Sequence, residues 1–170
     1  MLPITVKRRW WHRWIQKLAA TDFGLWLLPN TLHRIDAVLF KMTGNNVSLT
    51  SLLAGLPVIM LTTTGAKSGL ARQKPLVAIA DGDKLILIAS SFGSNRHPAW
   101  YYNLTANPIA QVSIRQLTAT YHARRSVGLE RGRYWQMAKD LYHGFNLYER
   151  KAGKREIPIM VLEPITPASN

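Results

Sequence analysis

From Pro57 onward the chain is cut into short β-rich runs with turn signals between them, and this spacing constrains the fold more than any other feature. Val58–Thr64 is the first run and ends at Gly65. Leu76–Ala80 is the second and Leu85–Ala89 the third, and Asp81-Gly82-Asp83 between them is a hairpin signal. Ile109–Ile114, Leu117–Ala123 and Ile157–Leu162 continue the series, and Glu130–Leu141 reads as a helix. Strands this close together, joined by hairpins, predict an antiparallel barrel or sandwich with few helices, an α+β fold that is mainly β. They argue against a doubly wound parallel sheet.

The part before Pro57 has a different pattern. Residues 7–18, KRRWWHRWIQKL, put Trp10, Trp11, Trp14, Ile15 and Leu18 on one helical face and Arg9, Arg13 and Lys17 on the other. Such a face suits a membrane surface, where indole rings sit at headgroup depth. It equally suits packing on its own domain, and the two readings stand side by side. Residues 22–55 continue as helix with breaks at Pro29-Asn30 and Gly44-Asn45-Asn46. His33 and Asp36 have the spacing of a metal pair but lack a third ligand nearby, so a surface ion pair is the preferred reading and no metal is assigned. The division is thus a helical extension over 1–55 and a barrel domain over 56–165. The longest apolar run, Leu52–Leu61, is too short to span a bilayer. With Asp22 interrupting the early apolar stretch, no signal peptide is read. A cytoplasmic protein is expected, with the inner membrane face as a peripheral location.

Charge narrows the ligand. The net charge is +13, and residues 1–80 hold ten Lys/Arg against Asp22 and Asp36 alone. A field of that sign attracts phosphorylated ligands, anionic lipid or nucleic acid. The sequence has no cysteine, which removes thiolate catalysis and Cys-ligated metals.

Two stretches carry the chemistry. Gly65-Ala66-Lys67-Ser68-Gly69-Leu70-Ala71-Arg72, followed by Lys74, is a turn of glycines, cations and a hydroxyl, suited to anionic oxygens. It is not a P-loop. Ser90-Ser91-Phe92-Gly93-Ser94 then leaves the third strand as a small-residue loop, and His97-Pro98 opens a helix with Pro98 at its first position. Free amides at that helix start, beside Trp100 and Tyr101, suit a ligand with a flat ring and a charged tail. At least one ring of Trp100-Tyr101-Tyr102 is expected in the core.

The order TTTGAKSGLARQKPL, a DG hairpin and ASSFGSNRHPAWYYNLTANP resembles the deazaflavin (coenzyme F420)-dependent nitroreductase family over roughly residues 57–162. The resemblance implies a split β-barrel related to the FMN-binding split barrels, with F420 as hydride carrier and FMN the less favoured cofactor. It implies that the phosphate and oligoglutamate tail meets Ala66, Lys67, Ser68, Arg72 and Lys74. The ring and ribityl chain would follow Gln73, Pro75, Leu76 and Val77, then Ala89, Ser90 and Ser91. Ala99, Trp100, Tyr101, Tyr102 and Asn103 would close the other side. Tyr142, Phe145 and Tyr148 keep the family's spacing of aromatics over the ring. The chain departs from the family pattern at Ser91, where Lys is common, at Val77, where an aromatic is common, and at Phe145, which lacks a hydroxyl.

These features imply an F420H2-dependent oxidoreductase reducing a quinone-like or nitroaromatic small molecule. Tyr142, Tyr148 and Ser90 are its candidate acceptor-binding or proton-donating residues. The competing readings are a non-catalytic basic barrel that binds a flavin-like ligand, anionic lipid or nucleic acid, and an FMN enzyme of the same superfamily. Nucleic acid is disfavoured, because base-stacking aromatics do not interleave with the cations. Monomer and homodimer both remain open.

Overall fold

The structure, a computed structural model, describes residues 56–114 and 116–165. The helical reading of 7–18, the His33–Asp36 pair and the division at 55/56 lie outside the described residues. Seven strands form one antiparallel sheet: β1 (Val58–Thr64), β2 (Ala71–Val77), β3 (Ile79–Asp81), β4 (Lys84–Ile88), β5 (Ile109–Ile114), β6 (Leu117–Arg125) and β7 (Ile159–Pro164). Among the described residues three α-helices accompany them: α1 (Ala99–Ala106), α2 (Gly128–Leu141) and α3 (Gly144–Ala152).

The strand order is β2-β1-β5-β6-β7-β4-β3. The two outer strands are consecutive pieces of one stretch, interrupted only at Ala78, whose N–H donates to Pro57 O at 3.0 Å. A stretch that starts on one border of the sheet and finishes on the other curls the sheet into a split barrel. This is the mainly β fold anticipated above.

Strand periodicity sorts the core into two layers. Leu85 and Leu87 face one cluster with Met160 and Leu162, while Ile86 faces another with Ile159 and Val161. The first cluster fills the barrel, with Ile59, Leu61 and Val112, and takes Trp100 and Leu104 from α1. The second lies outside it, under Tyr134, Trp135 and Ala138 of α2 and the aromatics around α3. Leu61, Ile86, Leu87, Val161 and Leu162 are wholly buried. Each such side chain contributes about 1.5–3 kcal/mol on leaving water.

Several boundaries differ from the sequence reading. The second strand begins at Ala71, not Leu76, because its first four residues are exposed and carry no apolar alternation. Pairing with β1 sets them instead, from Val58↔Val77 to Thr64↔Ala71. The strand assigned to Leu76–Ala80 is broken at Ala78. Pro98 is the residue before the helix, extended at φ −68° and ψ 151°, and not its first helical position. The third strand ends at Ile88, and the last begins at Ile159, after Pro158. α2 starts two residues before Glu130, and α3 had no counterpart among the elements read from sequence.

Candidate active site

A cavity of about 1430 Å³ opens between β2, the loop after β4, α1 and α3. Small-molecule pockets usually measure roughly 300–1,000 Å³, so this one has room for more than a compact ligand. Its wall follows β2 without a gap from Arg72 to Val77. Those two residues stand roughly 17 Å apart at the rise of a β-strand.

One end is cationic. Lys67, Ser68, Arg72 and Lys74 line it, all exposed. The turn that carries them is held from within. Gly65 N–H donates to Leu70 O at 2.8 Å and Gly69 N–H to Gly65 O at 2.8 Å. Leu70 N–H donates to Ser68 Oγ at 3.4 Å, and Ala66 N–H to Asn103 Oδ1 at 3.0 Å. Among the described residues, the amides of Lys67 and Ser68 keep no such partner and remain for an anion beside the two cations. Asn103 also donates from Nδ2 to Thr63 Oγ1 at 3.0 Å, in a buried bond. It therefore bolts α1 to the turn.

Pro75 explains how β2 meets the cavity. A proline inside a strand is tolerated where its missing N–H would point away from the neighbouring strand. Leu70 O and Ala78 N both bond toward β1, as does Arg72 O, which accepts from Thr63 Oγ1 at 3.5 Å. Even-numbered residues thus serve the sheet, and Gln73, Pro75 and Val77 turn their main-chain groups to the open border. A flat ligand lying along this border meets amide N–H groups at Gln73 and Val77, and carbonyls at all three.

The other end is aromatic and dry. Tyr142, Phe145 and Tyr148 line it and are each 5–7% exposed. Phe145 is the hub. Its ring meets Tyr142 at 5.7 Å, Tyr148 at 5.7 Å and Trp135 at 6.0 Å, each edge to face. Gly144 makes this compact, since a Cβ there would strike the Tyr142 ring. Burial pushes both phenols above the ordinary tyrosine range, Tyr148 the further. The two phenol rings lie 6.0 Å apart, tilted by 54°.

The floor between the ends is a strained loop. Ser91, Phe92 and Gly93 all have positive φ, at 50°, 54° and 78°. For Ser91 and Phe92 this costs about 1–2 kcal/mol each. Phe92 packs edge-on against Tyr148 at 5.7 Å. Gly93 is pressed against α3, where an added Cβ would come within 2.6 Å of Lys151 Cβ and 2.9 Å of Tyr148 O.

Most of the residues singled out from sequence line this one cavity. Ala66, Lys67, Ser68, Arg72, Gln73, Lys74, Pro75, Leu76, Val77, Ser90, Ser91, Ala99, Trp100, Tyr102, Asn103, Tyr142, Phe145 and Tyr148 all do so. Ala89 and Tyr101 do not. Ala89 is wholly buried, with its N–H donating to Pro158 O at 2.9 Å. Tyr101 packs on the barrel core and on the His97 ring, 4.9 Å away. Trp100 is 7% exposed and belongs mainly to the barrel core, so it supplies wall more than a stacking face. Leu56, Val58, Ile88 and Phe92 also line the cavity and were not singled out. Arg155, which holds the loop from outside, was missed as well. Its only sequence signal was a basic residue in a turn before a strand.

The residues present fit a deazaflavin cofactor. Unpartnered amides beside Lys67, Arg72 and Lys74 suit a polyanionic tail, and the open β2 border with its apolar slot suits a flat tricyclic ring. Fold and site together define a cofactor-dependent oxidoreductase on a split barrel, with the reactive group brought by the ligand. The model of the F420H(2)-dependent quinone reductase family matches residues 33–164, and the chain belongs to that family. It is 32% identical over 149 residues to an F420H(2)-dependent quinone reductase of Mycobacterium tuberculosis, covering 83% of this chain and 97% of that protein. A solved F420-H2 dependent reductase is 36% identical with a TM-score of 0.58, covering 63% of this chain and 94% of the other. A second solved chain, described as a domain-swapped dimer, is 30% identical with a TM-score of 0.60, covering 84% and 100%. The protein is an F420H2-dependent oxidoreductase acting on quinones, and its cofactor is coenzyme F420.

Proposed function

We propose that the cavity works as two compartments, with the cofactor tail on the Lys67–Arg72 turn and the acceptor quinone against Tyr142, Phe145 and Tyr148. The observation that carries this reading is the division of a single lining into an exposed cationic end and a buried aromatic end. Bound F420H2 supplies a hydride. The quinone needs one proton besides, and the protein's part is to orient the ring, exclude water and provide that proton.

Tyr142 and Tyr148 both line the aromatic end, and either O–H is placed to serve as the donor to a quinone oxygen. The Ser90 hydroxyl, at the loop beside the ring site, binds the acceptor or steadies negative charge on its oxygen. Gln73, Pro75 and Val77 hold the cofactor ring through the main chain, and Pro75 and Leu76 supply its apolar bed. Leu56, Val58 and Ile88 add apolar surface suited to an uncharged acceptor.

The test is steady-state quinone reduction with F420H2 by Tyr142→Phe and Tyr148→Phe proteins. The variant that lacks the donor is expected to lose about 10²-fold in kcat and the other less, with F420 affinity kept in both. Equal, small losses would overturn the assignment. A nitroaromatic acceptor in the same assay separates quinone reduction from the nitroreduction suggested by the first resemblance.

Two further parts of this reading concern assembly. A lipid-soluble quinone is met at a bilayer surface, and the basic, Trp-rich segment 7–18 has the composition to rest there. Among the described residues no helix is long and apolar enough to cross a membrane. Co-sedimentation with anionic vesicles, compared with a protein lacking residues 1–20, tests this. The domain-swapped relative makes a homodimer the favoured assembly over a monomer. Light scattering decides between them.

A further inference from the structure

We propose that Arg155 is a positioning residue for cofactor binding: its guanidinium clasps the loop from Ala89 to His97 into the shape that lines the cavity, and protonation of His97 releases the clasp. The inference rests on the reading of this cavity as the F420 site.

Arg155 lies in the turn between α3 and β7 and does not line the cavity. Nε donates to Ser94 O at 2.7 Å, and one terminal nitrogen donates to Ser90 O at 2.7 Å. The other terminal nitrogen reaches Ala89 O at 3.5 Å and His97 Nδ1 at 2.9 Å. These acceptors bracket Ser91, Phe92 and Gly93, the residues held at positive φ. A loop with two non-glycine residues in that conformation needs outside restraint to stay there. The planar, forked guanidinium provides it, and a lysine ammonium cannot reach the same spread of acceptors. The clasp has a second consequence. Arg155 lies three residues beyond the end of α3, so it ties the loop bearing Ser90, Ser91 and Phe92 to the helix bearing Tyr148.

His97 closes the far end of the loop and leads into Pro98 and α1. Its Nδ1 faces a guanidinium donor, so it must be an acceptor and the ring must be neutral. Protonation would set an N–H and a positive charge against Arg155. The charged neighbours of His97 are Arg155 and Arg125, which oppose its protonation, and Glu156, which favours it. The rings of Tyr101 and Tyr102 pack on it at 4.9 and 5.9 Å. Burial, then Arg155, holds its pKa below the ordinary 6.5. The sign follows from linkage. The clasp is fully formed above the unrestrained histidine pKa and is lost as pH falls through the lower value of the clasped state.

The experiment reads two quantities between about pH 5 and pH 8, across the histidine range. One is hydrogen-exchange protection of the 89–97 amides in the protein without added ligand, corrected for intrinsic exchange rates. The other is the F420 dissociation constant from intrinsic Trp fluorescence. In the wild type, protection falls and the dissociation constant rises about tenfold toward the acid end, the effect of one pKa unit. His97→Asn keeps an acceptor near the Nδ1 place without its titration, so both readings flatten. The ligand's own titration is common to the two proteins and cancels. Arg155→Lys binds about tenfold more weakly with an unprotected loop at every pH, in protein shown to be folded by circular dichroism. Wild-type protection and binding that ignore pH would overturn the proposal, as would an Arg155→Lys protein indistinguishable from wild type. If F420 fails to bind any of the proteins, pH-dependent protection still upholds the clasp, and the cofactor reading is what falls.

Discussion

At the Lys67–Arg72 end, the cavity wall is an exposed turn held by main-chain bonds and one buried amide, Asn103. At the Tyr142–Tyr148 end, it is a packed set of rings, each under a tenth exposed. In the two-compartment reading proposed above, the first end would meet its ligand through charge in water, where each contact is weak and salt-screened. The second would meet it in a dry setting, where contacts are strong and misplacement is costly. On that reading, tail recognition would tolerate substitution by degrees, whereas the acceptor end would either pack or fail. That division of labour would suit a cofactor enzyme, with an adjustable grip on a long anionic tail and a fixed geometry for proton transfer.

Gly93→Ala should break the aromatic end outright. A Cβ at φ 78° is strained, and it would meet Lys151 Cβ at 2.6 Å and Tyr148 O at 2.9 Å. The expected loss is on the order of 3 kcal/mol in chemical unfolding, with quinone reduction falling alongside. A protein of wild-type stability would show that the loop and α3 are not pressed together.

Asn103→Ala sharpens the contrast from the other side. It removes the buried bond to Thr63 and leaves the Ala66 N–H without its acceptor. A loss of about 2 kcal/mol is expected, together with weaker F420 binding, while the ring packing of Tyr142, Phe145 and Tyr148 keeps its near-ultraviolet signal. Loss of that signal would mean that the two ends are one cooperative unit.

Glu130 provides the reference point, away from both ends. Its bidentate bonds to Arg124, at 2.7 Å each, hold its carboxyl down to about 2 from the ordinary 4.5. A depressed carboxylate contributes stability that is complete above about 4.5 and lost as pH falls toward 2. The pair is about a third exposed, so after solvent screening the contribution is only about 1 kcal/mol. Acid unfolding of Glu130→Gln should be flatter over that window, with F420 binding at neutral pH untouched. A change in binding would link the outer ion pairs to the cavity.

What was legible in the sequence follows the same contrast. The cationic turn is local, with its glycines, cations and hydroxyl adjacent in the chain, so both its chemistry and its place could be read. The barrel was legible too, because Val58–Thr64 and Ile109–Ile114 alternate or run apolar at strand length. The start of β2 was not, since Ala71–Lys74 are exposed and owe their conformation to pairing with β1. α3 was hidden because Gly144 starts it and Gly153 follows it within nine helical residues, too few for a clear period. Arg155 was invisible for a deeper reason. Its acceptors are some sixty residues away, and all but one are main-chain carbonyls, which no side-chain pattern reveals.

The most direct test compares F420 with the deazaflavin lacking its phosphate and oligoglutamate tail, titrated into wild-type, Lys67→Ala and Arg72→Ala proteins at low and high salt. The two-compartment account predicts that each substitution weakens F420 by about tenfold at low salt, less at high salt, and leaves the tail-free ligand within about twofold of wild type. Equal losses for both ligands, or no loss for F420, would contradict it.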